Sequence, residues 1–385
     1  MLMDDYQSPW RTPEIEQFQQ TARRYWNAEL LPRLPAWEAQ GGIDREVWNQ
    51  LGAMGFLLAD LPSEYGGGDG DYSHLAALVE VSAECGFGPG FGPHYIVAHY
   101  LHHYGSEEQK RRWLPGMASG DIVASIGMTE PGAGSDLQGI KTRARRDGDS
   151  YVITGSKTFN TNGHHADLVM LAVKTDASLG AKGVSLLMVE TRDLAGFRRG
   201  EPLDKIGLKA QDTVELFFDE ARVPAANLLG AAEGQGFSQM MAQLPYERLL
   251  IGIRAVGSIE RALRLTLEHV HQRQAFGQPL FKLQNTRFEF AEMKTEATLA
   301  RVFIDQCIAW QQQGRLDAAT AAMAKWWGTQ KECETVDRCL QLFGGYGFMR
   351  EYPIARMYMD SRGQKIYGGA NEVMKEIIAR QLAPR

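Results

Sequence analysis

Polar and apolar positions change period twice along the chain. From Ile15 through Phe18, Ala22, Tyr25 and Trp26 the apolar residues recur at helical spacing, and Thr12-Pro13-Glu14 supplies the cap, first-position proline and acidic first turn of a helix start. Breaks at Gly41-Gly42, at Gly66-Gly67-Gly68 and in the run Gly86-Phe87-Gly88-Pro89-Gly90-Phe91-Gly92-Pro93 divide this region into several helices. The last run reads most simply as a helix-to-helix turn. From about residue 123 the runs shorten and fill with β-branched and aromatic residues, as in Ser150-Tyr151-Val152-Ile153-Thr154, Leu168 to Val173 and Val214-Glu215-Leu216-Phe217-Phe218. Turn residues between them fall at the intervals of an antiparallel sandwich or barrel. After Gly234-Gln235-Gly236 the helical period returns and holds, with Leu249, Ile253, Val256, Leu263, Leu267 and Val270 on one stripe. The expected class is α+β, with a helical domain over 1–122, a β domain over 123–232 and a helical bundle over 233–385.

Composition narrows the function more than the fold. A chain of 385 residues, 44% hydrophobic and 23% charged, buries a substantial core and is neither disordered nor membrane-like. The balance of 41 Lys+Arg against 47 Asp+Glu gives a net charge of -6 and argues against a general nucleic-acid binder, leaving room for a local basic patch. Cys85, Cys307, Cys333 and Cys339 show no metal-ligand spacing and suggest no disulfide framework. Met1-Leu2-Met3-Asp4-Asp5 is acidic without an apolar core, and no long apolar stretch follows, so a cytoplasmic location is expected.

The densest glycine loop is Met128-Thr129-Glu130-Pro131-Gly132-Ala133-Gly134-Ser135-Asp136. Glycines let backbone amides approach an anion or a ring edge. The named nucleotide motifs fail here, because Ile140 stands where a P-loop lysine belongs and Leu137 where the third Rossmann glycine belongs. On these residues alone, a structural turn and a ligand loop are equally good readings.

The loop resembles the flavin loop of the acyl-CoA dehydrogenases, and further motifs of that family follow in order along nearly the whole chain. Gly155 to Gly163 is similar to the strand that presents an aromatic ring and a hydroxyl to the isoalloxazine, here Phe159, where many relatives have tryptophan, and Thr161. Arg273-Gln274-Ala275-Phe276-Gly277 with Gln284 resembles the segment that reaches the FAD of a neighbouring subunit, and Gln341-Leu342-Phe343-Gly344-Gly345 resembles the adenine-side loop. Ala275 and Ala370 stand where relatives often have threonine. The resemblance implies a helical domain, a middle β-barrel or sandwich and a C-terminal four-helix bundle. It implies FAD held by Met128, Thr129, Phe159, Thr161, Arg273, Phe276, Gln284, Gln341, Gly345, Ala370 and Glu372, in a homo-oligomer, tetramer or dimer.

One residue of the pattern is missing. The family's C-terminal loop usually reads Tyr-Glu-Gly-Thr and carries the catalytic base, whereas here Ile366-Tyr367-Gly368-Gly369-Ala370-Asn371-Glu372 puts glycine at that position. A smaller branch, with the long-chain and isovaleryl-type enzymes, carries the base on a helix before an arginine, and Tyr246-Glu247-Arg248 matches it. Glu247 is therefore the expected base, near the mouth of its helix, with a pKa raised by burial. An intrahelical pair with Arg248 or Arg254 is the structural alternative. Gly368 keeps the backbone N–H that serves the thioester oxygen, while Ser135, Arg248 and Tyr367 are the expected substrate contacts.

The activity implied is FAD-dependent α,β-dehydrogenation of a medium-chain, long-chain or branched acyl-CoA, with an electron-transfer flavoprotein as acceptor. An acyl- or aminoacyl-carrier-protein dehydrogenase or oxidase, and an inactive acyl-CoA-binding protein, are the alternatives. The run from Gly86 to Pro93 aligns with the floor of the acyl pocket in relatives, where its small residues leave a deep tunnel or Phe87 and Phe91 close it.

Overall fold

The computed structural model describes residues 6–88 and 90–382, so Met1 to Asp5, Pro89 and Ala383 to Arg385 lie outside the described residues. Helix α1, Pro13–Tyr25, begins as its sequence predicts: Pro13 occupies the first turn and the Ile15 N–H donates to the Thr12 hydroxyl at 3.3 Å. Helices α2 (Leu34–Gln40), α3 (Glu46–Ala53), α4 (Tyr72–Cys85), α5 (Phe91–Tyr104) and α6 (Glu107–Ser119) complete the N-terminal layer. Capping boxes at Asp71 and Ser106 fix the starts of α4 and α6. Phe87 and Phe91 turn inward, their rings 5.5 Å from Trp37 and 5.6 Å from Trp26, so the glycine-rich run contributes both rings to the aromatic core.

The middle region is one curled seven-stranded sheet of β1 (Ala124–Gly127), β2 (Arg143–Asp147), β3 (Ser150–Thr161), β4 (Leu168–Lys174), β5 (Val184–Glu190), β6 (Phe197–Arg199) and β7 (Thr213–Pro224). It is mixed where the strand pattern suggested an antiparallel sheet: β1 and β2 share one edge of β4 and both run parallel to it. Residue alternation reports which face a side chain occupies and is silent on strand direction. On β4, Leu168, Met170 and Ala172 join the core of the N-terminal helices, while Val169, Leu171 and Val173 fill the sheet's own interior. Covering on both faces explains why all of β4 is buried.

The C-terminal region holds three long helices, α7 (Gly236–Gln272), α8 (Gln284–Gln312) and α9 (Ala318–Phe343), and two shorter ones, α10 (Pro353–Gln364) and α11 (Asn371–Leu382). Between α7 and α8 lies a small hairpin of β8 (Gln274–Ala275) and β9 (Gln278–Pro279). Helix α7 packs on α4 of the first region as well as on α8 and α9. This seam is locked by a buried ionic cluster in which Arg301 reaches Glu80, Glu260 and Asp305. Such a cluster fixes one packing of the helices even where its net stabilisation is small. Among the described residues, no helix is long and apolar enough to cross a membrane.

Candidate active site

Glu247 lies in the interior of α7, just after Pro245, and not near a helix mouth. The helix begins earlier than the apolar stripe suggested, because Gln239 and Gln243 occupy buried positions that the stripe counts as polar. Only 8% of Glu247 is exposed, and its Oε1 accepts a hydrogen bond from the Tyr100 hydroxyl at 3.0 Å. Burial raises its carboxyl to about 7, with Tyr100 and Arg248 pulling the other way. Among the described residues Glu247 forms no ion pair. Arg248 turns instead to the C-terminal loop, its Nε 3.4 Å from the Gly368 carbonyl.

That loop is held from below. Lys325, wholly buried on α9, donates through Nζ to the Gly369 carbonyl at 2.7 Å and to Asn371 Oδ1 at 2.9 Å, and the Thr329 hydroxyl meets the same Asn371 oxygen at 3.1 Å. Gly368 and Gly369 both have left-handed backbone, at φ +66° and +101°. The Gly368 N–H meets no acceptor among the described residues. Tyr367 keeps about a third of its surface exposed, and its hydroxyl, raised by burial to about 12, lies beside Arg254. Glu247, Arg248, Gly368 and Tyr367 are thus brought to one place.

The glycine loop is a turn with a buried anchor. Reciprocal backbone bonds between Glu130 and Ala133, at 2.9 and 3.1 Å, close it. Lys157 donates to Glu130 at 2.8 Å and to the Met128 carbonyl at 3.1 Å, and Glu130 also accepts from the Lys141 and Thr142 N–H groups. Burial opposes ionisation of Glu130, but Lys157 and these donors outweigh it and hold the carboxyl below its ordinary range. The Thr158 N–H donates to the Thr129 carbonyl at 2.9 Å, tying the loop to β3. Met128, Thr129 and Thr161 are half-buried there, and Ser135 is exposed on the loop.

Two exposed aromatic rings stand in left-handed backbone, one on β3 and one in the hairpin after α7. Phe159, 67% exposed at φ +59°, sits at a break in the β3–β7 register that pushes its ring outward. Phe276, 91% exposed at φ +52°, does the same in the hairpin after α7. A non-glycine residue in left-handed backbone costs about 1–3 kcal/mol and persists where the surroundings require it. Neither ring stacks on another aromatic ring among the described residues.

The remaining predicted residues lie elsewhere on the surface. Arg273, exposed at the end of α7, has its guanidinium 5.8 Å from the Tyr346 ring and so stands beside the Gly345 loop. Gln284, Gln341 and Glu372 are exposed, and Ala370 is half-buried ahead of α11. No hydrogen bond or ion pair among the described residues joins Arg273, Gln284 or Gln341 to the Met128–Thr161 group. The sequence reading missed Tyr100 and Lys325 as partners of the site, since neither lies in a motif, while Asn371 and Lys157 stood inside motifs without a role.

These residues form a glycine turn anchored by a buried ion pair and, apart from it, a buried carboxylate on α7. Three family models match in chain order: "Acyl-CoA dehydrogenase, N-terminal domain" over residues 12–121, the middle domain over 125–221 and the C-terminal domain over 234–383. The chain belongs to the acyl-CoA dehydrogenase family, FAD-dependent oxidoreductases acting on CH–CH groups. It is 43% identical to the mitochondrial long-chain specific acyl-CoA dehydrogenase of Sus scrofa, over 96% of this chain and 86% of that one. The crystal structure of an acyl-CoA dehydrogenase from Geobacillus kaustophilus superposes with a TM-score of 0.96 at 44% identity, covering 98% of this chain and all of the other. A glutaryl-CoA dehydrogenase from Mycobacterium smegmatis in complex with FADH2 superposes at 0.91 with 27% identity, covering 98% and 96%.

Proposed function

We propose that the protein dehydrogenates a medium-chain, long-chain or branched saturated acyl-CoA to the trans-2-enoyl-CoA, with Glu247 as the base for the α-proton. The observation that carries this reading is a buried carboxylate, titrating near neutrality, beside a loop whose usual carboxylate position is glycine. An α-proton of a thioester is weakly acidic, so its removal needs a base of matched pKa and donors on the thioester oxygen. Glu247 takes the proton onto a carboxylate oxygen. The unpaired Gly368 N–H donates to the thioester oxygen, and Arg248 and Lys325 hold its loop through the carbonyls of Gly368 and Gly369. Bound FAD supplies the acceptor for the β-hydride.

Met128, Thr129 and Thr161 would hold the isoalloxazine edge, and Phe159 would cover its face and exclude water. Arg273, Phe276 and Gln284 would meet the FAD of a neighbouring subunit, Gln341 and Gly345 would meet its adenine side, and Ala370 and Glu372 would complete the set. Ser135 and Arg248 would help position the thioester and the CoA side of the substrate, and Tyr367 would wall the site. An electron-transfer flavoprotein is the proposed acceptor.

Anaerobic addition of saturated acyl-CoAs of graded length to the FAD-loaded protein tests this reading. It requires bleaching of the flavin band with formation of an enoyl thioester. Silence with every CoA thioester, together with bleaching by a carrier-protein thioester, would replace the substrate class.

A further inference from the structure

Helices α5 and α7 meet through a ladder of two rungs. Tyr100 and Tyr104 are one turn apart on α5, and Glu247 and Gln243 are one turn apart on α7. The Tyr100 hydroxyl donates to Glu247 at 3.0 Å, and Gln243 Nε2 donates to the Tyr104 hydroxyl at 3.1 Å. Tyr100 is wholly buried, and its hydroxyl is the one hydrogen-bond donor to the Glu247 side chain among the described residues.

We propose that Tyr100 is a positioning residue for the base: its phenol holds the Glu247 carboxylate in one rotamer and keeps it ionisable at neutral pH. This rests on the reading of Glu247 as the base. A glutamate side chain has several rotatable bonds, and a carboxylate sealed in an apolar seam would otherwise stay protonated and unable to accept a proton. A hydrogen bond to the ionised form offsets part of that burial. Tyr100 suits the task because its own hydroxyl is pushed well above the usual tyrosine range, so it donates without giving up its proton. The second rung sets the register of α5 on α7 that brings the first hydroxyl to Glu247.

The other ionisable neighbours do not duplicate this role. Arg248, on the same helix, spends its Nε on the Gly368 carbonyl, and Lys325 of α9 is bonded to Gly369 and Asn371. Tyr72 of α4 donates to the Tyr246 carbonyl. His99 of α5 stacks on the Tyr246 ring at 3.9 Å and is held neutral by burial, at about 3, so it contributes no titration near neutrality.

The test is the pH profile of kcat/KM for FAD-loaded Tyr100→Phe beside the parent and Glu247→Gln. Phenylalanine keeps the ring and removes the donor. The expected result is an acid limb moved up by about one pH unit, a tenfold loss on that limb, and a lowered alkaline plateau, with FAD content close to the parent. An infrared titration of the protonated carboxyl band, identified by its absence in Glu247→Gln, should move by the same amount. If Glu247→Gln is silent and Tyr100→Phe keeps the parental limb and band, the positioning role is wrong while the base stands. If Glu247→Gln turns over like the parent, the base reading itself is wrong.

Discussion

Ile251 occupies the space that a side chain at position 368 would need: a Cβ on Gly368 would fall well inside 3.0 Å of Ile251 Cδ1. Ile251 lies one turn after Glu247 on α7, so the helix that carries the carboxylate also fills the volume above the vacant loop position. Gly368→Ala should therefore destabilise the protein by about 1–2 kcal/mol from its left-handed backbone, with an added cost of crowding. Combined with Ile251→Ala, the loss should be smaller than the sum of the two single losses, because the crowding disappears and only the backbone strain remains. Denaturant melts of the four proteins measure this directly. Strictly additive losses would remove Ile251 from the explanation.

Glu247 makes stability depend on pH with a definite sign. Its carboxyl titrates at about 7 when folded, against 4.5 when unfolded. Between those values the folded chain binds more protons, so this group's contribution falls as pH rises through the window. At pH values above both, ionised Glu247 costs roughly 3 kcal/mol. Glu247→Gln removes the charge while leaving an acceptor for Tyr100, and should be more stable than the parent at about pH 8 by up to roughly 3 kcal/mol and nearly equal at about pH 4.5. A stability difference that does not change with pH would show that the carboxyl is unperturbed.

The Glu130–Lys157 pair beneath the glycine loop gives a separate expectation. Removing one partner of a buried pair costs about 3–5 kcal/mol, since the other charge is left without compensation. Lys157→Met also frees the Met128 carbonyl, so the flavin-to-protein absorbance ratio should fall with the melting temperature. Glu130→Gln with Lys157→Met should recover part of the stability. Full FAD occupancy in the single variant would separate the pair from the cofactor loop.

Local pattern and resemblance carried much of the fold and named the candidate site, and the gaps follow from distance in sequence. Thr12-Pro13 is a helix start in both sequence and structure because capping is a property of adjacent residues. Glu247 was legible as the candidate base because it precedes Arg248 and because position 368 is glycine. Tyr100 was not legible, because 147 positions separate it from Glu247 and no motif contains it. Ile251 reads as one more apolar helix residue until the loop is laid across it. Likewise, β4 was recognisable as a strand while its parallel pairing with β1 was not.

Exposure of Phe276 and Arg273 ties flavin retention to assembly in the proposed scheme. A charge-assisted bond to a pyrophosphate is worth about 1.5–3 kcal/mol, so Arg273→Ala should weaken FAD retention roughly ten- to hundredfold. In the parent, dilution that separates subunits should release flavin in step, followed by fluorescence and sedimentation together. A dissociated chain that keeps its FAD would contradict the shared site.

The most direct measurement is anaerobic, single-turnover flavin reduction by a saturated acyl-CoA in the parent and in Glu247→Gln, followed from about pH 6 to about pH 9. The parent should reduce its flavin faster as pH rises through about 7, and Glu247→Gln should hold its FAD and leave it oxidised at every pH. Reduction of the flavin in Glu247→Gln at the parental rate would show that another group removes the proton.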